Sequence, residues 1–495
     1  MGEHQAHTSN DARVLGIGAR NWRLLIDGAL VPGSSTGVSV DPSTGGVLAE
    51  VPEASAEQVD AAVAAAAAAQ PAWAAMPIEE RAAVVRQLAG ALEAHAEDLV
   101  VLDAVDGGIP LRSMGNEIRM AVDLMSMFAG HTLALGGNTM PQSSGRLSLT
   151  TRQPYGVVGR IVPFNHPLFF AASRIAAPLV AGNTVVLKPS DLTPLSALRL
   201  GEYLAELVPA GVVNVINGGA TVGEQLVRHC DVRRVAFTGS VSTGLAVQGA
   251  AADSGRIKSV SLELGGKNAL IVMPDVDVAA AARGVVAGMN FTWQGQSCGS
   301  TSRLIVHEQI AGELVAAVVS ELERIVVGPP LDPGTTMGPL VSQQHRERVL
   351  AYIDSGIADG ARLVTGGGVP DLPGWYVQPT MFDGVTPDQR IAREEIFGPV
   401  LSVLRFSDEA EAVALANDVE YGLAASVWTR DLDRALRVVH ALHAGYVWVN
   451  EVGPHYWGSP FGGTKNSGIG REESLDELLS YTEQKSVHLR FQGAA

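Results

Sequence analysis

Between residues 156 and 264 the chain alternates short, unbroken apolar runs with stretches of helical period, and few architectures accept that pattern. The runs are residues 157–162, 184–188, 212–216, 234–238 and 258–264. Strands that are apolar at nearly every position, rather than every second one, are buried on both faces, as in a parallel sheet covered by helices. Between them, Thr193-Pro194 offers an N-cap and a first-turn proline, with Leu195, Leu198, Leu204 and Val208 behind at helical spacing. Thr221 with Glu224 reads as a capping box, and Ser240 or Ser242 can cap the next helix. The pattern predicts a doubly wound α/β unit with its ligand at the carboxyl ends of the strands.

A second α/β alternation follows Cys298. Its strands are expected at residues 303–307, 362–365, 401–406, 424–429 and 445–450, with helices such as 309–325 and 431–443 between them. A chain of 495 residues is too long for one ordinary core, so at least two domains are expected. Two further segments alternate strictly. Leu147, Leu149 and Thr151 interleave with Ser148, Thr150 and Arg152, and Val487, Leu489 and Phe491 interleave with His488 and Arg490. Such amphipathic strands would leave an apolar face bare on a single subunit.

Composition narrows the partners. A formal charge of −17 argues against nucleic acid or an anionic membrane surface. Two cysteines make no disulfide framework, and a reactive thiol is safest in a reducing cytosol, so a cytoplasmic location is expected. Residues 1–20 are polar, with His4, His7, Ser9 and Asn10, and lack an apolar core of signal-peptide length. Ala6 stands where a myristoylation signal wants Ser or Thr. The alanine run 61–69 is expected to be interrupted by Pro71 and Pro77 and reads as a helix outside the membrane. No metal is expected.

Two motifs carry chemistry. Cys298 lies in Gln294-Gly295-Gln296-Ser297-Cys298-Gly299-Ser300, a thiol between small neighbours on a bend. Glu263 lies in Leu262-Glu263-Leu264-Gly265-Gly266-Lys267, a carboxyl group on a strand ending at a diglycine. Such a pair suits attack on a carbonyl carbon followed by hydrolysis of the acyl group with activated water. Apolar flanks raise the pKa of Glu263 toward a useful range, unless it forms a buried pair with Lys267. Cys230 has no comparable setting and reads as a core residue. No G-x-G-x-x-G is present in a suitable place, since Gly16-Ile17-Gly18 follows too short an apolar run. Gly239-Ser240-Val241-Ser242-Thr243-Gly244 follows a strand and opens a helix, whose N-terminus can face a pyrophosphate.

These segments, with Pro163-Phe164-Asn165-His166-Pro167, Lys188-Pro189-Ser190-Asp191, Phe237-Thr238-Gly239-Ser240, Glu395-Ile396-Phe397-Gly398-Pro399 and Pro460-Phe461-Gly462-Gly463, occur in order over residues 20–485. Together they resemble the aldehyde dehydrogenase superfamily, in its NAD(P)-dependent, hydrolytic branch. The resemblance implies a Rossmann-like NAD-binding domain (1–130 and 153–264), an α/β catalytic domain (265–477) and a small β bridging element for oligomerisation (131–152 and 478–495). It implies Cys298 as nucleophile, Glu263 as the base for water, and Asn165 as oxyanion donor. Lys188 and Asp191 would hold the adenosine ribose, Ser240 and Gly239 the phosphates, and Glu395, Phe397 and Phe164 the nicotinamide end. NAD is the expected cofactor and NADP the weaker alternative, although Asp191 is shorter than the Glu common in the family. The family's acyl-transferring branch generally lacks the acid at Glu263. The 35 positions from Glu263 to Cys298 are one more than expected, and the extra residue is placed in 289–294.

His166, Phe169, Phe170, Phe291, Trp293, Tyr456 and Trp457 fall in segments that line the family's substrate tunnel. An aromatic or medium-chain apolar aldehyde is the expected substrate, and a quaternary-ammonium aldehyde of the betaine-aldehyde kind is the alternative. His166 departs from the family pattern. It either reads a polar or acidic group or fills space. The partners expected are a small aldehyde and further copies of the chain, as a dimer or dimer of dimers. From other classes, a thiol hydrolase would leave the cofactor residues idle, and a structural protein would have no use for Cys298 and Glu263.

Overall fold

The structure is a computed structural model and describes residues 16–142 and 145–491. His4, Ala6, His7, Ser9 and Asn10 therefore lie outside the described residues.

The first sheet runs in the order Ala29–Val31, Leu24–Ile26, Val213–Val215, Thr184–Lys188, Val157–Ile161, Val232–Thr238, Ser259–Glu263, Gly468–Ile469. Its five inner strands are parallel. Taken in chain order they lie 3-2-1-4-5, the doubly wound arrangement, and the order reverses between Val157–Ile161 and Val232–Thr238. Every residue of Val157–Ile161 and Thr184–Lys188 is buried, as unbroken apolar runs require.

The helix starts are less local than the sequence suggests. Ser240 does cap Val241–Asp253, accepting from the Thr243 N–H at 3.3 Å. Thr193, however, does not cap Leu195–Leu207. Its hydroxyl donates to the Phe164 carbonyl, and the Leu195 N–H is met at 3.0 Å by the carboxylate of Asp106, from another helix. The Thr221–Glu224 box is also not formed. Ala220–Arg228 starts at Gly219 without a side-chain cap, and Glu224 pairs with Arg228 instead. Pro71 lies inside Ala56–Ala75 rather than interrupting it. The nearby Trp73 is buried and donates to the Leu179 carbonyl at 3.1 Å, so tertiary packing outweighs the proline. Cys230 is exposed, in the turn between Arg228 and Val232, and is not a core residue. Among the described residues no helix is long and apolar enough to cross a membrane.

The second sheet runs Arg362–Thr365, Thr380–Asp383, Val400–Phe406, Arg303–His307, Ala269–Val272, Ala424–Trp428, Tyr446–Val449, parallel except for its first pair. Ala269–Val272 and Thr380–Asp383, four residues each, are strands beyond those expected from the pattern. Outside the two sheets, Arg146–Pro154 and Thr482–Arg490 pair antiparallel over nine positions. Leu489 is 42% exposed on this ribbon, and Phe491, just beyond it, is 51% exposed.

Candidate active site

Several of the predicted residues arrive at one place because they end or follow strands of the first sheet. Lys188 closes Thr184–Lys188, Glu263 closes Ser259–Glu263, Gly239 and Ser240 follow Val232–Thr238, and Asn165 follows Val157–Ile161. A single cavity of about 800 Å³ is lined by Asn165, Glu263 and Cys298 and equally by Lys188, Asp191, Gly239 and Ser240, with Phe164, Glu395 and Phe397. It sits at the point where the strand order reverses, as expected of ligand sites on open α/β sheets.

The turn carrying Asn165 is braced from beneath. Asn165 is buried before helix Pro167–Val180, and the Leu168 N–H donates to the Asp103 carboxylate at 3.0 Å. Burial pushes Asp103 up to about 7.

The Cys298 loop is held by its neighbours in sequence. After helix Val278–Gly288, Asn290, Gln294 and Gly295 adopt positive φ around a 3₁₀ turn, Phe291–Trp293, within the stretch assigned the extra residue. Gln296 bonds to the Gln294 side chain and accepts from the Val341 N–H at 3.0 Å. Asn268 then grips the loop, donating to the carbonyls of Cys298 at 2.7 Å and Ser300 at 3.0 Å. The diglycine is a spacing device. A Cβ on Gly265 would lie 2.0 Å from the Glu395 carboxylate, and one on Gly266 would lie 2.9 Å from the Cys298 carbonyl. Only glycines let Glu395 and the thiol loop approach this strand end. Glu395, bonded to the Gly266 N–H at 2.9 Å, is pushed up to about 7 by burial.

Glu263 is 5% exposed, and its Oε1 has no hydrogen-bond partner among the described residues. The pair with Lys267 is absent, since Lys267 Nζ also lacks a partner. Burial, then the Glu472 carboxylate, pushes Glu263 well above the usual carboxylate range, with Arg174 opposing. Burial and the carboxylates of Glu263, Glu395, Glu473 and Glu472 likewise push the Cys298 thiol well above its ordinary value. Both shifts run toward the protonated form, so ionising either group is harder here than in water.

The charges that set this field were missed in the sequence. Arg160 pairs with Glu472 at 2.6 Å, and Arg174 reaches Glu472 at 3.1 Å, Glu473 at 2.9 Å and Glu477 at 3.6 Å, all buried. The available signal was an arginine inside each of two unbroken apolar elements, Val157–Ile161 and Pro167–Val180. Buried charges need partners, and here the partners are some 300 residues away. Also missed were His345 and Glu117. His345 is kept neutral by burial, at about 4, and donates from Nε2 to the Phe397 carbonyl at 2.6 Å. That contact supports Phe397 at φ +57, with Phe164 edge-on to its ring at 5.7 Å.

The aromatic residues expected in the substrate tunnel divide. Phe169 and Phe170 are buried beside His166, which stacks on Trp293 with ring centroids 5.4 Å apart, and Trp457 stacks on Phe169 at 6.4 Å. Phe291 belongs instead to the core of the second sheet, and Tyr456 is 52% exposed with its hydroxyl on Glu451.

The aldehyde dehydrogenase family pattern matches residues 31–487. The chain belongs to the aldehyde dehydrogenase family. It is 45% identical over 467 residues to the aldehyde dehydrogenase tropH of Talaromyces stipitatus, covering 92% of this chain and 90% of that protein. It is 43% identical to the betaine aldehyde dehydrogenase of Sinorhizobium fredii, covering 94% of this chain and 96% of that protein. Its fold superposes on the NAD-dependent aldehyde dehydrogenase of Sinorhizobium meliloti with a TM-score of 0.95 at 41% identity, covering 98% of both chains. This aldehyde dehydrogenase is an NAD-dependent oxidoreductase, and its cavity fits the cofactor. The Ser240-capped helix turns its N-terminus to the cavity that Lys188 and Asp191 also line, as a pyrophosphate and ribose require.

Proposed function

We propose that the enzyme oxidises an aldehyde to the free carboxylic acid through a thioester on Cys298. The reading rests above all on a buried, unpaired Glu263 sharing one cavity with Cys298 and Asn165. Cys298 Sγ attacks the formyl carbon, and the thiol proton passes to a carboxylate of the site. The Asn165 amide and the Cys298 backbone N–H hold the oxyanion. The chemistry NAD supplies when bound is acceptance of the hydride leaving that carbon. Glu263 then takes a proton from water as it adds to the thioester, and the tetrahedral centre expels the thiolate.

Phe170 lines the cavity with Cys298 and packs edge-on against His166, and this ring with the stacked rings behind it favours an aromatic or medium-chain apolar aldehyde. With NAD present, kcat/KM followed by NADH absorbance is expected to be higher for benzaldehyde and phenylacetaldehyde than for acetaldehyde. The reverse order rejects this substrate class, and an absence of NADH from every aldehyde returns the thiol hydrolase reading. A second reading, a quaternary-ammonium aldehyde, draws on the relative from Sinorhizobium fredii and on the aromatic wall. Betaine aldehyde turned over faster than the aromatic aldehydes would promote it.

Asp191 lines the cavity beside Lys188, the one cation assigned to the ribose. A 2′-phosphate placed there meets like charge, so NAD is expected to be preferred over NADP. Asp191→Ser should narrow the ratio of kcat/KM values, and an equal ratio in the wild type would refute the assignment.

The ribbon of Arg146–Pro154 and Thr482–Arg490 is two strands wide, and two strands alone are marginal in water. We assign it to subunit assembly, as the bridging element beside an NAD-binding domain and a catalytic domain with the boundaries given above. Light scattering at micromolar concentration is expected to show two or four chains. A particle of 51.7 kDa contradicts this. A cytoplasmic location fits a working thiol.

A further inference from the structure

Two histidines stand in the aromatic cluster, each tied to a buried carboxylate. His166 Nδ1 lies 2.8 Å from Glu117 Oε2, and Glu117 is 3% exposed on helix Leu111–Gly130. His455 Nδ1 lies 2.6 Å from Glu473 Oε2, and Glu473 is 2% exposed. The rings belong to one wall. His166 contacts Phe169 with centroids 6.3 Å apart, Phe169 stacks on Trp457 at 6.4 Å, and Trp457 meets His455 at 6.3 Å. His455 packs at 4.6 Å on Phe461, whose cluster contacts Cys298. Neither Nε2 has a hydrogen-bond partner among the described residues, and both side chains keep about a fifth of their surface exposed, at 20% and 23%.

A histidine that only fills space needs no buried acid to orient it. A carboxylate on Nδ1 fixes the tautomer and the ring plane, and so aims Nε2. With Nδ1–H committed, Nε2 accepts when the ring is neutral and donates when it is protonated. A hydroxyl group does both, so it satisfies either state of either ring. We infer that the substrate is an aromatic aldehyde bearing ring hydroxyl substituents, read by Nε2 of His166 and of His455 as specificity-determining residues. This rests on the aromatic-aldehyde reading above. Glu117 and Glu473 act through the histidines as positioning residues.

The test compares 3- and 4-hydroxybenzaldehyde with 3- and 4-methylbenzaldehyde, which match them in size and lack the hydroxyl. In His166→Asn and His455→Asn the side-chain amide keeps an N–H at the δ position for the carboxylate, while the ε atom is gone. His→Gln, which reaches the ε position, serves as the rescue variant. The hydroxy-to-methyl ratio of kcat/KM in the wild type, divided by that in the double Asn variant, cancels the intrinsic reactivity of each ring. It is expected to be about 10- to 100-fold, the range for a hydrogen bond to a group that can be charged, and to reside in KM. The single variants then apportion it. A structural role lowers both substrates together and leaves the ratio unchanged. Brisk turnover of benzaldehydes with an unchanged ratio overturns this inference and spares the aromatic reading. Failure to turn over any benzaldehyde overturns both.

Discussion

Glu263→Gln is expected to arrest the enzyme after its first chemical half. Attack by Cys298 and loss of hydride need no base at the thioester, so rapid mixing with NAD and aldehyde should release a burst of up to one NADH per active site. Hydrolysis should then fall by ~100- to 10,000-fold, because water loses a positioned general base. Mass spectrometry should find the acyl group on Cys298, and Cys298→Ala should show neither burst nor adduct. Glu263 also raises the thiol pKa, so its neutralisation eases one demand on Cys298 even as it removes a proton acceptor. The wild type carries a second signature. Glu263 works as a base only when ionised, and burial with Glu472 raises its pKa well above the ordinary value. The deacylation rate should therefore climb as pH rises through that raised pKa, and the Gln variant should lose this dependence. Full steady-state activity in Glu263→Gln would mean that another group activates the water.

The parts of this enzyme legible in its sequence are those whose cause is local. Val157–Ile161 and Thr184–Lys188 announce themselves because burial on both faces demands a nearly continuous apolar run. Ser240 declares the cofactor helix because an N-cap acts within three residues. Cys298, Glu263 and Asn165 stand out as short motifs, and the diglycine after Glu263 lets Glu395 and the thiol loop approach that strand end. What stayed hidden depends on residues far apart in the chain. The Leu195 and Leu168 N–H groups are met by Asp106 and Asp103, from a helix some 65 to 90 positions earlier. Arg160 and Arg174 lie inside otherwise apolar elements, and nothing local says that Glu472, Glu473 and Glu477 answer them. His166 is visible as a departure, while its partner Glu117 lies 49 positions away. The cavity was thus readable residue by residue, and the field within it was not.

Asn165→Ala is expected to strike the opposite half of the reaction from Glu263→Gln. If the Asn165 amide holds the oxyanion formed when Cys298 attacks, its loss removes one preorganised donor, typically ~100- to 1,000-fold in kcat, or about 3 kcal/mol. The backbone should survive the change, because the turn is held by Asp103 on the Leu168 N–H rather than by the Asn165 side chain. Aldehyde KM should move little, since the donor matters most once charge has developed on oxygen. The two variants can be told apart in time. Glu263→Gln keeps a fast burst and slows the steady state, whereas Asn165→Ala should slow the burst itself. In the double variant the burst should follow the Asn165→Ala rate and the acyl group should still accumulate on Cys298. A burst in Asn165→Ala as fast as in the wild type would remove Asn165 from the attack step. The Cys298 backbone N–H would then be the sole assigned donor to the oxyanion.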